Sequence, residues 1–507
     1  MRAARQRRGV RMERASGILM PISSLPSKYG IGTLGKEAYA FADQLVAAKQ
    51  KYWQILPLAV TSYGDSPYQS FSTYAGNPYF IDLEQLIEEG LLTAEECDAV
   101  DFGDDPTSID YGKMYAGRYP LLRKAYQNDL KTRESDAYRQ FALKNSKWLE
   151  DFALFMALKS HFGGIPWSEW EDDIKMRRPK AMHRYWTELI DDVNFQIYIQ
   201  YKFYEQWHKL KEYVNDLGIK LIGDMPIYVS ADSADAWANG DLFMFDERMN
   251  PTLVAGCPPD AFAATGQLWG NPIYRWDVHK ESGYEWWIAR VKGALELYDV
   301  VRIDHFRGFD EFYTIKAGEK TAMNGKWMKG PGIELFNAIN AAVGKAPIIA
   351  EDLGYITDSV KKLLKDSGYP GMKLLQFAFD SREASDYLPH GYPHNCVVYT
   401  GTHDNDTLVG WYKTGLSKED KAFAQDYLHL PVDGKPEDMC WEFIRAAFMS
   451  VADLAMVPMH DYLELDSDAR INYPSTVGTN WKWRMKKGAF TDEVAEKIAH
   501  FVKLYGR

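Results

Sequence analysis

Residues 299–308, DVVRIDHFRG, start with a short apolar run rich in β-branched residues and place an aspartate, Asp304, where that run ends. The pattern occurs three more times: Asp224 closes IKLIGD (219–224), Glu351 closes PIIAE (347–351) and Asp404 closes CVVYTGTHD (396–404). Runs of this composition are typical of parallel strands that are buried on both faces. In a barrel of such strands the residues at the strand ends meet at one face, so we expect the four carboxylates to converge on one cleft.

Eight runs with strand character occur along the chain, which is the number that a closed barrel requires. They lie at 17–22, 52–58, 219–224, 299–304, 346–351, 372–379, 396–401 and 455–460. Helical periodicity separates several of them, at 36–49, 286–297 and 357–366. This alternation predicts an α/β fold, a (β/α)8 TIM barrel.

Two connections are far longer than ordinary loops between strands and helices: roughly 160 residues follow the second run and about 75 follow the third. The first, about 82–216, is rich in amphipathic patterns and is predicted to be an inserted, largely helical subdomain. The second, about 225–285, is punctuated by Gly and Pro and is predicted to be a loop-rich insertion. We therefore expect one catalytic barrel over 15–507, preceded by a disordered basic extension over 1–14.

The composition excludes several classes of function. Binding of nucleic acid through its phosphates needs clustered Lys and Arg, and the formal net charge is −12, so no nucleic-acid partner is expected. No segment is long enough to span a membrane, and residues 1–14 hold no apolar run of the kind found in secretory signals. The four cysteines are widely spaced, which disfavours a disulfide scaffold and fits a cytoplasmic location.

Asp304 has an arginine, Arg302, two positions earlier, and on a strand this spacing puts both side chains on the same face. The guanidinium would favour the charged form of Asp304 and keep it ionised, as a carboxylate nucleophile requires. A purely structural ion pair between strand and loop is the alternative interpretation of the same two residues.

Glu351 follows four apolar residues, and an apolar environment raises the pKa of a carboxyl group towards the protonated form at neutral pH. It is therefore the candidate general acid. The next residue, Asp352, points to the opposite side of the strand and is interpreted as a cap or a structural hydrogen-bond acceptor.

Asp404 lies between His403 and Asn405, a cluster of donors and acceptors suited to holding sugar hydroxyls. A metal site is the competing interpretation, but a lone His among Asp and Asn lacks the usual spacing of ligands, so no metal or organic cofactor is expected. Aromatic residues make up 14% of the chain; most of them are expected in the core, although flat rings also suit the apolar faces of sugars.

One ionised and one protonated carboxyl group are what the cleavage of a glycosidic bond requires. The chain has no phosphate-binding loop, dinucleotide fingerprint or G-x-S-x-G elbow, so nucleotide chemistry and serine hydrolysis have no support. The sequence therefore predicts chemistry on glycans.

These motifs are similar to those of a known family. GDMPIYV (223–229), RIDHFRG (302–308), AEDLG (350–354) and GTHDNDT (401–407) resemble the four motifs of the 4-alpha-glucanotransferases called amylomaltases or disproportionating enzymes, glycoside hydrolase family 77. Four longer segments resemble the family in the same order, at 16–35, 66–83, 250–274 and 469–484. The resemblance extends over nearly the whole chain after residue 14.

The resemblance implies a retaining transferase that acts by double displacement. Asp304 would be the nucleophile that forms a covalent glucosyl-enzyme, Glu351 the general acid/base and Asp404 the stabiliser of the transition state. The implied contacts with substrate are Tyr68, Asp224, Asp260, Gln267, Trp269, Arg302, His305, Asp380, His403 and Asn472. The implied partners are alpha-1,4-glucans and maltooligosaccharides, with glucose as an acceptor.

Transfer and hydrolysis share the covalent intermediate and differ in whether a sugar hydroxyl or water resolves it. The segment 250–272 contains Pro251, Pro258, Pro259 and Trp269, and we expect a stiff aromatic loop of this kind to cover the cleft and favour a sugar acceptor. Two alternatives stay open: a hydrolytic enzyme of the α-amylase type with the same three carboxylates, and a non-catalytic barrel that binds glucan.

Overall fold

The structure, a computed structural model, describes residues 12–259, 264–354, 356–432 and 434–507. Twelve strands occur in these residues. They are β1 (Ala15–Leu19), β2 (Tyr52–Gln54), β3 (Lys220–Pro226), β4 (Leu253–Cys257), β5 (Gln267–Pro272), β6 (Val300–Asp304), β7 (Glu311–Lys316), β8 (Lys326–Lys329), β9 (Ile348–Ala350), β10 (Gly371–Leu374), β11 (Cys396–Tyr399) and β12 (Leu454–Pro458).

Eight of these strands form one parallel sheet in the order β10, β11, β12, β1, β2, β3, β6, β9. The two end strands meet and close the ring. Ala350 N–H donates to Pro370 C=O at 2.9 Å, and Met372 N–H donates to the Asp352 carboxylate at 2.7 Å. The predicted eight-stranded barrel is confirmed, and Asp352 is the structural acceptor that the strand alternation predicted.

The strands are buried because their apolar, β-branched side chains face either the barrel interior or the surrounding helices. All five residues of β12 are buried, as are all four of β11. A polar pair also lies inside, where the Tyr399 hydroxyl donates to Gln54 Oε1 at 2.7 Å. Only glycine fits at position 223, because a Cβ on Gly223 would lie 2.1 Å from the ring of Tyr298.

Helices surround the barrel and fill the long connections. Those of the described residues up to β3 are α1 (Lys36–Ala47), α2 (Leu83–Glu88), α3 (Ala94–Asp98), α4 (Tyr111–Asn128), α5 (Leu130–Arg133), α6 (Asp136–His161), α7 (Asp172–Lys175), α8 (Pro179–Glu188) and α9 (Ile190–Asp216). Those after β3 are α10 (Ala234–Ala238), α11 (Trp276–Glu281), α12 (Glu285–Leu297), α13 (Ile333–Val343), α14 (Asp358–Ser367), α15 (Leu408–Gly410), α16 (Lys418–Leu428), α17 (Pro436–Met449), α18 (Met459–Tyr462) and α19 (Asp492–Tyr505). Helices α1, α12 and α14 match the three predicted from periodicity.

The segment predicted as a helical insertion, about 82–216, contains helices α2 to α9. Polar contacts join it to residues that follow β2 and β3 in the chain. Gln200 exchanges two hydrogen bonds with the backbone of Gly76, at 2.8 and 2.9 Å. The buried Lys159 ammonium reaches the Asp232 carboxylate, in the connection after β3, at 2.7 Å.

The connection after β3 contains α10, β4, β5 and α11, and its strands belong to a second sheet. This sheet is antiparallel and has the order β5, β4, β7, β8. It therefore combines strands from the connections before and after β6. None of these four strands is among the eight predicted runs, because the sheet depends on the pairing of β4 with β7, which lie on opposite sides of β6 in the chain.

The predicted basic extension falls largely outside the described residues, at 1–11. Its last residue, Arg14, is described and packs against the barrel. The Arg14 guanidinium donates to the carbonyls of Ser450 at 2.8 Å, Phe448 at 2.9 Å and Tyr505 at 3.1 Å. Arg14 thus contacts helices α17 and α19 and the residue after α17. None of the helices in the described residues is both long enough and apolar enough to cross a membrane.

Candidate active site

The four acidic residues of the sequence pattern lie at the carboxyl ends of their strands. Asp224 lies near the end of β3, Asp304 is the last residue of β6, Glu351 directly follows β9, and Asp404 lies in the loop after β11. Strands β3 and β6 are paired so that Asp224 lies opposite Arg302. Hydrogen bonds and ion pairs then connect the carboxylates of β3, β6 and β11 to one another.

Arg302 lies between two carboxylates. Its Nη1 is 3.0 Å from Asp304 Oδ1 and 2.5 Å from Asp224 Oδ2. The side chains of Arg302 and Asp224 are 4% and 0% exposed, whereas that of Asp304 is 32% exposed. The two carboxylates raise the pKa of Arg302 against the opposing effect of burial. Asp304 is therefore the member of this group that a substrate can reach.

The ionisation of Asp304 differs from the sequence prediction. Arg302 favours the charged form, as predicted, but burial has the larger effect and raises the pKa of Asp304 to about 6. The neighbouring Asp224 carboxylate adds to the increase. Asp304 is thus a carboxylate at neutral pH but not a permanently ionised one, because the strand end is more buried than the local sequence indicated.

Glu351 behaves as its apolar strand predicted. Burial and, to a lesser extent, the charge of Asp304 raise its pKa to about 7 against the opposing effect of Arg302. Its carboxyl group is fixed by two backbone donors: His305 N–H bonds to Oε2 and Leu353 N–H bonds to Oε1, both at 2.7 Å. Of the two acids, Glu351 retains its proton to the higher pH.

His305 has two roles in the geometry. Its backbone adopts the left-handed conformation, with φ 54°, and this directs its N–H to Glu351. Its ring meets the Trp269 ring edge-on, with centroids 4.9 Å apart. Burial lowers the pKa of His305 to about 4, and Arg307 adds to the decrease, so its imidazole is neutral. Trp269 also donates to Gln267 Oε1 at 3.1 Å, so the two predicted residues of β5 contact each other.

Asp404 is held by an amide and a histidine. Asn472 Nδ2 donates to Asp404 Oδ1 at 2.6 Å, and His403 Nε2 lies 3.4 Å from the same oxygen. On its other side the His403 ring stacks on Tyr68, with centroids 4.9 Å apart and Nδ1 3.3 Å from the Tyr68 hydroxyl. Tyr68 in turn donates to Asp224 Oδ2 at 2.7 Å. One continuous polar network thus runs from Asp404 to Asp304.

Sequence reasoning missed two residues of this network. Arg470 donates to the backbone carbonyls of Asp404 at 2.7 Å and Asn472 at 2.8 Å, so it holds both partners of one hydrogen bond. The Trp481 ring lies 5.7 Å from that of Tyr68 and 5.8 Å from that of His403. Both residues lie in the segment 469–484, whose resemblance to the family was noted, but nothing in their local pattern distinguishes them from surface residues.

Among the described residues, Asp380 is a predicted contact that is not part of the network. Asp380 forms its hydrogen bonds, within the described residues, with the backbone and side chain of Arg382, and the closest of these is 2.6 Å. Asp260 lies outside the described residues. The described residues contain no group of three or more His, Cys, Asp or Glu side chains arranged to hold a metal ion.

Comparisons with known proteins agree with this geometry. A sequence model of the family described as 4-alpha-glucanotransferase, glycoside hydrolase family 77, matches residues 20–491. The chain is 50% identical over 489 residues to a 4-alpha-glucanotransferase of Clostridium butyricum, with 96% of this chain and 100% of that protein covered. It is 48% identical over 496 residues to a 4-alpha-glucanotransferase of Streptococcus pneumoniae serotype 4, with 98% of each chain covered.

A solved structure is similar over the same length. The fold matches that of the amylomaltase from Streptococcus agalactiae in complex with acarbose, with a TM-score of 0.94 and 44% sequence identity. The match covers 98% of this chain and 100% of that chain. The similarity therefore includes the barrel and both long connections.

Proposed function

Because the chain belongs to glycoside hydrolase family 77, the 4-alpha-glucanotransferases, we propose that it moves alpha-1,4-glucan segments between maltooligosaccharides, or onto glucose, by double displacement with retention. One observation supports this mechanism above the others. Asp304, paired with Arg302 at 3.0 Å, lies in a site shared with Glu351, which holds its proton to a higher pH. A nucleophile and an acid are thus present together near neutral pH.

In the first step Asp304 attacks the anomeric carbon of the donor sugar and forms a covalent ester. The glycosidic bond breaks, and its electron pair goes to the leaving oxygen, which takes the proton of Glu351. The shortened chain leaves with a free hydroxyl group. Glu351 is then a carboxylate, stabilised by the N–H groups of His305 and Leu353.

In the second step Glu351 acts as a base. It removes the proton from a hydroxyl of an acceptor sugar, and that oxygen attacks the anomeric carbon of the ester. The bond to Asp304 breaks and the carboxylate is restored. Two inversions at one carbon give retention, so an α-linked donor yields an α-linked product.

The remaining residues hold the sugar and the charge that develops on it. The Asp404 carboxylate stabilises the positive charge of the oxocarbenium-like transition state, and Asn472 fixes the orientation of that carboxylate. The neutral rings of His305 and Trp269 offer apolar faces for a glucosyl unit. Asp224 is completely buried, and its carboxylate holds Arg302 and Tyr68 in place.

Transfer is favoured over hydrolysis when a sugar occupies the acceptor side and water is excluded. The segment 250–272 is suited to this because its strands β4 and β5 belong to the antiparallel sheet, and β5 carries Trp269, whose ring meets that of His305. Trp269 then covers the edge of the site where an acceptor enters.

Incubation of the purified protein with maltotriose alone, followed by chromatography of the products, tests the proposal. Glucose together with a series of longer maltooligosaccharides is the expected result. Glucose and maltose without longer products would identify a hydrolase with the same carboxylates. Unchanged maltotriose would favour a glucan-binding barrel. Loss of all product formation in Asp304→Asn would assign the reaction to this site.

A cytoplasmic location, where maltooligosaccharides are metabolised, belongs to the same proposal.

A further inference from the structure

The loop 401–407 carries two functional side chains, His403 and Asp404. It starts after Thr400, which follows β11, and it ends where α15 begins at Leu408. The loop contains no helix or strand of its own, so its shape depends on contacts with neighbouring segments. The position of Asp404 relative to the barrel therefore depends on how the two ends of this loop are held.

Asp461 binds both ends. Its Oδ2 accepts a hydrogen bond from the Thr400 hydroxyl at 2.7 Å, and its Oδ1 accepts one from Leu408 N–H at 2.8 Å. The residue lies in α18, which directly follows β12, the neighbour of β11 in the barrel. One carboxylate on the next strand end thus closes the base of the loop.

The Asp461 side chain is fully buried, at 0% exposure, so it cannot contact a substrate. The Thr400 hydroxyl and the Leu408 N–H both donate to the Asp461 carboxyl group, so one side chain links the two ends of the loop. Both hydrogen bonds are formed in the protein interior, where the loss of either one leaves a buried polar group without a partner. This arrangement restrains the ends of the loop more firmly than contacts at the protein surface would.

We propose that Asp461 is a positioning residue for the transferase reaction, which sets the location of Asp404 and His403 by fixing the two ends of their loop. This inference rests on the role proposed above for Asp404. Its physical basis is that a displacement of about 1 Å in a group that stabilises the transition state lowers the rate substantially.

Three variants separate this role from general stability. Asp461→Ala removes both hydrogen bonds, and Thr400→Val removes one of them with little change in shape. The matched control is Asp129→Ala, because Asp129 is also buried and also accepts from one hydroxyl, Tyr198 at 2.9 Å, and one backbone N–H, Thr132 at 3.0 Å. It lies in the helical connection between β2 and β3.

The measurements are kcat/KM for maltotriose and the thermal unfolding midpoint of each variant. We expect kcat/KM to fall about tenfold in Thr400→Val and about ten- to a hundredfold in Asp461→Ala, with a change of less than about twofold in Asp129→Ala. If Asp461→Ala does not fold, Thr400→Val still decides the outcome. Wild-type kcat/KM in folded Thr400→Val, or an equal loss in Asp129→Ala, would overturn the proposal.

A double-mutant cycle provides a readout that a merely structural role would not change. If Asp461 acts through Asp404, Thr400→Val should have little further effect in an Asp404→Asn background, whereas independent effects would multiply. Multiplicative losses would therefore contradict positioning. Full activity of Asp404→Asn alone would instead disprove the role proposed for Asp404, so the failure of the two proposals can be distinguished.

Discussion

The hydroxyl of Tyr68 donates a 2.7 Å hydrogen bond to Asp224 Oδ2, the same oxygen that accepts a hydrogen bond from Arg302. Tyr68 comes from the long connection after β2, and Asp224 lies on β3. The Asp224 carboxylate is completely buried, so this hydroxyl and one guanidinium replace its hydration. The contact joins a loop residue that faces His403 to the ion pair that supports the nucleophile.

Replacement of Tyr68 by Phe should therefore affect both stability and activity. We expect the free energy of unfolding to fall by about 1–3 kcal/mol, because a buried carboxylate loses a donor. We also expect kcat/KM to fall, since Asp224 and His403 lose their common partner. Tyr213→Phe is the control: its hydroxyl binds Asp43 at 2.6 Å at an exposed position. Equal effects of the two substitutions would contradict a specific role for Tyr68.

Replacement of Glu351 by Gln should abolish the acid without removing the substrate site. Turnover of maltotriose is expected to fall by about 10²–10⁴-fold, the usual contribution of general acid–base catalysis, while glucan binding persists. A donor whose leaving group needs no protonation, such as an α-glucosyl fluoride, should still form the covalent intermediate, which mass spectrometry would detect. Wild-type turnover in this variant would show that Glu351 is not the acid.

The pH dependence of kcat/KM should be a narrow bell. The activity should decrease as the pH falls below about 6, where Asp304 becomes protonated, and as it rises above about 7, where Glu351 loses its proton. The two limbs belong to the coupled pair of acids. Initial rates at low substrate concentration between pH 4 and pH 9 would be measured. A profile that is flat from pH 5 to pH 8 would contradict the assignment.

The raised pKa of Glu351 also predicts how stability changes with pH. The folded state binds this proton more tightly than the unfolded state does, so the stabilising contribution is complete below the ordinary pKa of 4.5 and is lost as the pH rises through about 7. Glu351→Gln has no such proton. Between pH 5 and pH 8 the free energy of unfolding of the wild type should therefore fall by about 2 kcal/mol relative to that of Glu351→Gln, as measured by denaturant titration. An unchanged difference would refute the raised pKa.

Replacement of Trp269, on β5, by Ala tests whether the segment 250–272 favours transfer. The fraction of glucosyl-enzyme that is resolved by water should increase, and this would appear as more reducing sugar released per glucan chain transferred. Trp327→Ala is a suitable control because Trp327 lies on β8 of the same small sheet and is 41% exposed. A ratio of transfer to hydrolysis that does not change in Trp269→Ala would remove the proposed role of this segment.

The strands and their acidic ends could be predicted because both are local properties. Eight short apolar runs and the helical periodicity between them define a (β/α)8 barrel, and each acid lies within a few residues of its own strand. The raised pKa of Glu351 follows from the same local signal, since the four preceding residues are apolar. The second sheet was not predicted, because its strands β4 and β7 pair with each other although β6 and the helices before it lie between them in the chain.

The sequence by itself determined the barrel, the carboxylates at its strand ends and the resemblance to a glucanotransferase family, because these depend on short-range patterns and on motifs. Only the tertiary structure decided how the acids interact. Desolvation by the surrounding protein outweighs the effect of Arg302 on the pKa of Asp304, and Tyr68, Arg470 and Asp461 support the site from distant segments. Burial and hydrogen bonding between residues far apart in the chain depend on the packing of the whole barrel, and a local pattern does not contain that information.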